Sequence, residues 1–392
     1  MRIVIVQGPF FPVPALLGGA VERTMLSLGR LWSEAGCRVT HISRRFDGLP
    51  DEEVAHGVRH LRVPSTDAPR NPLLFRLCEL AYCLRVLRVL PPADVVLVNS
   101  VLMPVLLRNK RAGKLVLRMG RPPKGQLRFY RHVDLVQTIS LDMERRILAE
   151  APWLDGRVSV VGSPLDGELQ PQGQRALRLE RERLVTFVGR LHPEKGLELL
   201  LEAFLAIASE APGWRLQLIG SAEIAAGGGG SAYAGRLAAL AARLPGRIVL
   251  RGPIYDPGAL AAELRRSELF VYPSLAERGE ALGLAPLEAA GQGAVPLVSA
   301  LDCFRDFVVD GQSGAVFDHR RPDAAQRLAE RLRDLMADAP LRHRLRQGAS
   351  AAAQSYAAPI VAARCLTDFR RLCEDGLPLP AAAQAAESAP AE

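Results

Sequence analysis

The chain alternates short runs of consecutive apolar residues with longer stretches in which apolar positions recur every three or four residues. The runs RIVIVQG, VTHIS, VRHLRVP, DVVLVNS, KLVLRMG, DLVQTIS and VSVVG read as strands, with helical patterns over 20–35, 73–90 and 142–151 among them. The series stops at 166–182, DGELQPQGQRALRLERE, a polar, Gln-rich and charged stretch that reads as a linker or a helix over the surface. It restarts with LVTFVG, RLQLIG, RIVLRG, LFVYPS, VPLVSA and GAVFD, accompanied by helical patterns over 196–210, 233–244, 258–266, 286–292 and 323–337. Strands separated by helices in this way form parallel βαβ units, so the expected fold class is α/β, two doubly wound domains facing across a cleft. The expected division is a first domain over 1–165, the linker, a second domain over 183–350, a helix over 351–375 crossing back to the first domain, and a disordered Pro/Ala-rich tail over 376–392.

Length and composition agree with this plan, since 392 residues with 48% hydrophobic content suit two domains that each bury a core. The six cysteines, Cys37, Cys78, Cys83, Cys303, Cys365 and Cys373, show no C-x-x-C spacing and are too sparse for a disulfide framework. They read as reduced core thiols, and neither zinc nor secretion is expected. The opening apolar run is too short for a signal-peptide core, and no stretch of about 18 apolar residues offers a membrane span. The expected location is the cytoplasm.

Charge changes the picture. Residues 1–165 hold 24 Lys+Arg against 14 Asp+Glu, while residues 166–392 hold 26 against 28, so the whole excess of +8 lies in the first half. Between Asp94 and Asp134 there is no acid, yet Arg108, Lys110, Arg111, Lys114, Arg118, Arg121, Lys124, Arg128 and Arg131 all fall there. A solvated face is one reading; a surface for anionic lipid or an acidic substrate is the sharper one. Nucleic acid is not expected, for no binding-motif signature accompanies the charge. Arg121 and Lys124, in GRPPKGQL after a first-domain strand, are candidate acceptor contacts, with a rigid Pro-Pro turn as the alternative.

In open parallel sheets ligands gather beyond the carboxyl ends of the strands, so chemistry is sought in the loops that follow strands. After RIVIVQG, Gly18 and Gly19 open a helix and let backbone approach a ligand, although a glycine pair is also an ordinary turn. After LVTFVG, Arg190 and Lys195 flank a helix start, where donors, dipole and formal charge together suit a phosphate. Only four of the fifty Lys+Arg are lysines, which makes Lys195 conspicuous. After LFVYPS comes EALGLAPLEAAGQG, with Glu280, the Gly283–Leu284 backbone and Glu288. Pro286 is read as the first helical residue, which places Glu288 in the first turn. Glu288 could accept hydrogen bonds from a ribose, or be a helix-start carboxylate; Glu280 could face a sugar, or simply water. The chain has no D-x-D sequence to hold a divalent ion, and no metal is expected.

FVGRLHPEKGLELLLEAF, IVLRGPIYDPGALAAELRRSELFVYPS, the two glutamates of EALGLAPLEAAGQG, DFVVDGQSGAVFD and the N-terminal GGAVERTM together resemble the family 4 retaining glycosyltransferases of the GT-B fold, over nearly all of residues 1–375. The resemblance implies two Rossmann-like domains, the first taking the acceptor and the second a nucleotide-sugar. It implies that Arg190 and Lys195 bind the donor diphosphate, that Glu288 holds the ribose and that Glu280 faces the donor sugar, with Glu280, Arg190 and Lys195 as the catalytic set. By the same resemblance Gly18, Gly19 and the amides of Gly283 and Leu284 approach the diphosphate and sugar, and the loop around Ile254 packs on the base. Many members carry a first-domain histidine near the reacting sugar; here the matching strands offer Arg118 and Asn99. Ala281 stands where the family has a glycine, Ser163-Pro164 where it often has Asn-Pro, and SAEIAAGGGGSAYAG looks like an insertion. The implied activity is metal-independent, retaining transfer of a hexose-type sugar from a UDP- or GDP-linked donor, with no other cofactor, to a lipid-linked or glycan acceptor in cell-surface polysaccharide or glycolipid synthesis. The implied location is cytoplasmic, or peripheral on an anionic inner membrane face. The alternatives are a non-catalytic GT-B binding subunit and a sugar-nucleotide epimerase.

Overall fold

The computed structural model describes residues 1–17, 19–108 and 112–374; Gly18, Lys110, Arg111 and the tail over 376–392 lie outside the described residues. Two compact units divide the chain, Met1–Pro164 with Ala358–Glu392, and Leu165–Ala357.

The first unit contains β1 (Arg2–Val6), α1 (Ala20–Glu34), β2 (Arg38–Arg44), β3 (Glu52–Ala55), β4 (Val58–Val63), α2 (Pro72–Val89), β5 (Val95–Val98), α3 (Met103–Leu106), β6 (Lys114–Met119), β7 (Leu135–Thr138), α4 (Leu141–Glu150) and β8 (Val158–Val160). Its sheet runs β3-β4-β2-β1-β5-β6-β7-β8, parallel throughout except for the β3–β4 pair at one edge. The second unit contains α5 (Gln174–Leu177), β9 (Glu182–Val188), α6 (Leu197–Ile207), β10 (Arg215–Ile219), α7 (Gly230–Ala241), β11 (Ile248–Arg251), α8 (Pro257–Arg266), β12 (Ser267–Tyr272), α9 (Leu284–Gly291), β13 (Val295–Ser299), β14 (Ala315–Phe317), α10 (Ala324–Ala337) and α11 (Ala339–Gln354). Its parallel sheet runs β11-β10-β9-β12-β13-β14. Each sheet therefore reverses direction once, at β1/β5 and at β9/β12, and such reversals open the crevice in which α/β sheets hold ligands.

The apolar runs become strands because both faces of each sheet are covered. Ile3, Ile5, Val95, Leu97, Val116 and Leu135 are buried together under Met25, Leu28 and Trp32 of α1, whose spacings of three and four keep them on one helical face. The chain then returns to the first unit as α12 (Ala358–Glu374), laying Val361, Cys365, Phe369 and Leu372 on the same core. The Trp32 ring meets Phe369 edge-on at 5.3 Å and its indole N–H donates to the Ala362 carbonyl at 3.1 Å. On the sheet side, Gln137 donates to the Asp368 carboxylate at 2.7 Å.

Four expectations are corrected. The stretch 166–182 is no linker: it folds into the second unit, with Leu169 and Ala176 buried and Gln172 N–H donating to the Gly291 carbonyl at 2.9 Å. Its polar residues satisfy backbone groups. Arg181 alone donates to the carbonyls of Ala176, Leu264, Arg265, Ser267 and Gln292, and burial pushes its guanidinium down to about 10. The helix read as beginning at Pro286 starts two residues earlier, at Leu284. Of the cysteines, Cys78 is half-buried and Cys373 exposed, so only four are core thiols. The basic stretch is not one face either: Arg118 points inward from β6 beneath α12 and donates to the Gly162 carbonyl at 2.5 Å, while Arg128 and Arg131 lie over the Phe129 and Trp153 rings. No helix among the described residues is long and apolar enough to cross a membrane.

Candidate active site

At the β9/β12 reversal two loops leave neighbouring strands side by side. The first, residues 189–196, ends in a single 3-10 turn, Pro193–Lys195, capped by the His192 ring, whose Nδ1 accepts from Glu194 N–H at 3.3 Å. Gly196 follows at φ 66°, and a Cβ there would stand 2.2 Å from the Pro273 carbonyl oxygen. Only glycine lets this loop touch the one after β12. The Glu194 carbonyl accepts from Leu275 N–H at 2.7 Å, which joins the two loops by backbone.

Across this seam Lys195 and Glu280 form an ion pair, and both are nearly buried, at 6% and 8% exposure. The Lys195 ammonium donates to Glu280 Oε1, which also accepts from the Ser274 hydroxyl at 3.0 Å and the Tyr272 hydroxyl at 3.1 Å. The same Tyr272 ring lies 5.5 Å from Lys195 Nζ. Burial foremost, and then the Glu280 charge, hold the Tyr272 phenol well above its ordinary value, so it remains a donor. All three bonds fall on Oε1, which leaves Oε2 to a ligand. Glu280 is thus not a loop carboxylate facing water. A buried ion pair needs such extra hydrogen bonds, because desolvation otherwise cancels the Coulomb gain.

Arg190 stands at the open side of the site, half-exposed, donating from Nη1 to the Gly227 carbonyl at 2.9 Å and from Nη2 to Glu194 Oε1 at 2.8 Å. A guanidinium has five N–H groups, so donors remain for oxygen ligands. Gly283 caps α9 at φ 76°, where a Cβ would meet the Phe304 ring at 2.3 Å. No side chain caps the first turn of α9, and its Leu284 and Ala285 amides lie where the helix dipole favours an anion. Because the helix starts at Leu284, Glu288 lies in the second turn, half-buried, and its reading as a helix-start carboxylate fails. Ile254 is half-buried in the loop after β11, beside Tyr255, which is 82% exposed.

The first unit has its own strand-end cluster, at the β1/β5 reversal. Gly19 is the N-cap of α1 at φ 110°, and the Glu22 carboxylate folds back over it, 2.1 Å from where a Cβ would be. Gln7, fully buried after β1, donates to Glu22 Oε1 at 2.9 Å. Asn99, after β5, is half-buried and faces Gly8. Of the two residues offered in place of the family's histidine, Arg118 is committed to Gly162 and to the Cys365 thiol at 3.9 Å, and burial lowers its guanidinium. Asn99 alone stands at a strand end. Arg121 and Lys124 are exposed on the loop after β6, whose backbone is held by Glu150 through Gly125 N–H at 2.8 Å and Leu127 N–H at 3.0 Å.

Sequence reasoning missed Tyr272, Ser274 and Glu194 in the second unit and Gln7 and Glu22 in the first. Tyr272 and Ser274 carried a signal, since they end the strand run whose following loop holds Glu280.

Residues 171–351 match the family described as Glycosyl transferases group 1. A phosphatidyl-myo-inositol mannosyltransferase of Mycobacterium tuberculosis (strain CDC 1551 / Oshkosh) is 27% identical over 50% of this chain and 48% of that protein. The chain thus spans about half the length of the curated relatives it matches. Among solved structures, sucrose-phosphate synthase from Thermosynechococcus elongatus is similar with a TM-score of 0.74 at 20% identity, over 95% of this chain and 99% of that one. HepE of Anabaena, in complex with UDP and glucose, is similar with a TM-score of 0.68 at 17% identity, over 94% of this chain and 99% of that one. With two parallel-sheet units and fold likeness along nearly the whole chain, the protein has the GT-B fold, and residues 171–351 within its second unit match the Glycosyl transferases group 1 domain.

Proposed function

We propose that this chain is a metal-independent, retaining glycosyltransferase of family 4 that moves a hexose-type sugar from a UDP- or GDP-linked donor to a lipid-linked or glycan acceptor. The observation that carries this reading is the Lys195–Glu280 pair at the β9/β12 reversal of a Glycosyl transferases group 1 domain. Breaking the bond between the anomeric carbon and a nucleoside diphosphate leaves positive charge on the sugar ring and negative charge on the β-phosphate. Arg190, Lys195 and the amides at the start of α9 meet the negative charge. Glu280, through Oε2, positions the sugar hydroxyls and stabilises the cationic ring. In this reading it acts by its charge, held in place by the three hydrogen bonds to Oε1, and not as a nucleophile. The departing phosphate takes the acceptor's proton on the same face, which retains configuration. Glu288 accepts from the ribose hydroxyls, and Ile254 packs on the base.

The first unit takes the acceptor, with Arg121 and Lys124 near it, and meets an anionic membrane face from the cytoplasmic side. The name of the mycobacterial relative makes phosphatidylinositol the first acceptor to try. The experiment is a thermal-shift screen with UDP, GDP and ADP, followed by transfer of radiolabelled hexose from the matching donor to phosphatidylinositol vesicles and glycan acceptors in EDTA. Binding of one nucleotide, weakened about tenfold in Glu288→Ala as one good hydrogen bond is lost, supports the reading. Indifference to all three nucleotides, or turnover that vanishes in EDTA and returns with magnesium, overturns it.

A further inference from the structure

The glycine run Gly227–Gly230 lies on the segment after β10 that looked like an insertion. It packs along the first half of the 189–196 loop. Gly229 N–H donates to the Leu191 carbonyl at 2.8 Å, and Leu191 N–H to the Ser221 carbonyl at 2.9 Å. The run is itself held by Gly228 N–H on the Glu223 carbonyl at 2.8 Å and Gly230 N–H on the Ala222 carbonyl at 2.7 Å. No side chain fits at its central positions. A Cβ at Gly228 would meet the Ala222 carbonyl carbon at 2.3 Å; one at Gly229 would meet Pro193 Cδ at 2.9 Å and Tyr233 Cδ1 at 2.8 Å. Gly229 has φ −82°, which any residue adopts, so close approach and not turn geometry excludes a side chain there.

Arg190 needs such a neighbour. Its side chain is long, half-exposed and rich in rotamers, and ordering it on a ligand is costly unless it is aimed beforehand. The Gly227 carbonyl at 2.9 Å and Glu194 at 2.8 Å supply that aim from two sides. We infer that residues 221–230 are a positioning element for Arg190, and that the chain's affinity for a nucleoside diphosphate depends on this run being bare of side chains. The inference rests on the proposed function, which assigns Arg190 to the diphosphate.

The test uses the full chain and calorimetry with whichever of UDP and GDP binds more tightly, and with the corresponding nucleoside. Gly229→Ala presses a methyl on Pro193. Gly227→Ala, whose Cβ would have Arg190 atoms as its three nearest neighbours, the first at 2.9 Å, presses on the arginine rather than on Pro193, at a φ of 76° that also strains a side chain, and serves if the first variant fails to fold. Gly235→Ala, on the exposed side of α7 with nothing within 4 Å of its Cβ, is the control. The expected result is a loss of diphosphate affinity of about 5- to 30-fold in the first two variants, with nucleoside affinity unchanged and the control equal to the parent. Folded Gly227→Ala and Gly229→Ala proteins that keep diphosphate affinity within about twofold, while Arg190→Ala loses it, overturn the inference and leave the proposed function standing. Equal loss for diphosphate and nucleoside also overturns it, since that marks general disruption. An Arg190→Ala protein with unchanged diphosphate affinity overturns the phosphate assignment and this inference with it.

Discussion

In the second sheet the buried cation Lys195 sits past the end of a strand and pairs with a carboxylate, whereas Arg118, one of the buried cations of the first sheet, sits inside β6 and donates to a carbonyl. Burying either charge costs free energy, and each is compensated differently. Arg118 ties β6 to the Gly162 carbonyl after β8 and reaches the Cys365 thiol of α12, while Gln137 and Asp368 fasten α12 to the sheet. Lys195 and Glu280 lie where a strand reversal leaves backbone amides and one carboxylate oxygen open to a ligand. A buried charge within a strand is therefore read as fastening, and one beyond a strand end as chemistry.

The largest expected effect tests the second half of that contrast. Lys195→Met and Glu280→Gln are each expected to lower donor turnover by about 100-fold or more, the scale of removing one charge-stabilising group from a transition state. Because the groups touch, the losses should not add, and Lys195→Met should also weaken the nucleotide. A double variant whose loss equals the product of the single ones would show that the pair does not act as a unit.

Arg118→Ala is expected to destabilise the chain by about 3 kcal/mol, from the cavity and the unsatisfied Gly162 carbonyl, with donor affinity unchanged. Urea unfolding beside calorimetry checks this. Full stability with turnover abolished would move Arg118 from the fastening group to the catalytic one.

A third measurement follows from His41, which is fully buried on β2 with its ring 5.6 Å from that of His60 on β4. Burial first, then His60 and Arg62, lower its imidazole to about 3 from an ordinary 6.5. Between those values the unfolded chain binds a proton that the folded chain refuses. Stability is thus complete above about pH 6.5 and is lost at about 1.4 kcal/mol per pH unit as the pH falls through that window. His41→Asn should flatten this slope in denaturant titrations from pH 7 to pH 5; an unchanged slope would assign the acid sensitivity to other groups.

The smallest effect concerns the surface of the first unit. Leu73, Leu74 and Leu77 are exposed on α2, whose N-terminal turns carry Arg76, and Arg121, Lys124 and Arg128 are exposed elsewhere on the unit. Each such cation is worth about 1 kcal/mol near an anionic leaflet, and screening weakens the attraction above about 0.15 M salt. Flotation with anionic vesicles should capture the chain at low salt and release it at high salt. Indifference to anionic vesicles at low salt would reduce the basic excess to a solubilising surface.

Much of this was legible before any coordinates. The strand runs around LVTFVG and LFVYPS declared parallel units, and Arg190, Lys195, Glu280 and Glu288 followed from their place after those runs. The segment 166–182 was not legible, since polar composition describes a linker and a set of backbone-satisfying side chains equally well. Arg181 shows why: its five carbonyl partners come from residues as distant as 292. The start of α9 was misread because Pro286 is tolerated at any of the first helical positions, and Gly283, three residues before the predicted start, was the true cap.

Local pattern and residue chemistry by themselves determined the α/β class, the strand-end loops and the charged residues within them, because apolar period and glycine placement act over a few neighbouring residues. The tertiary structure alone decided which charges meet. Lys195 and Glu280 stand 85 residues apart in the chain. They become a pair only because β12 returns beside β9, and Arg118 becomes a fastener only because α12 returns across 247 residues to cover it. Ion pairing and desolvation depend on distance in space, and in a parallel sheet that distance is set by strand order, which local sequence does not encode.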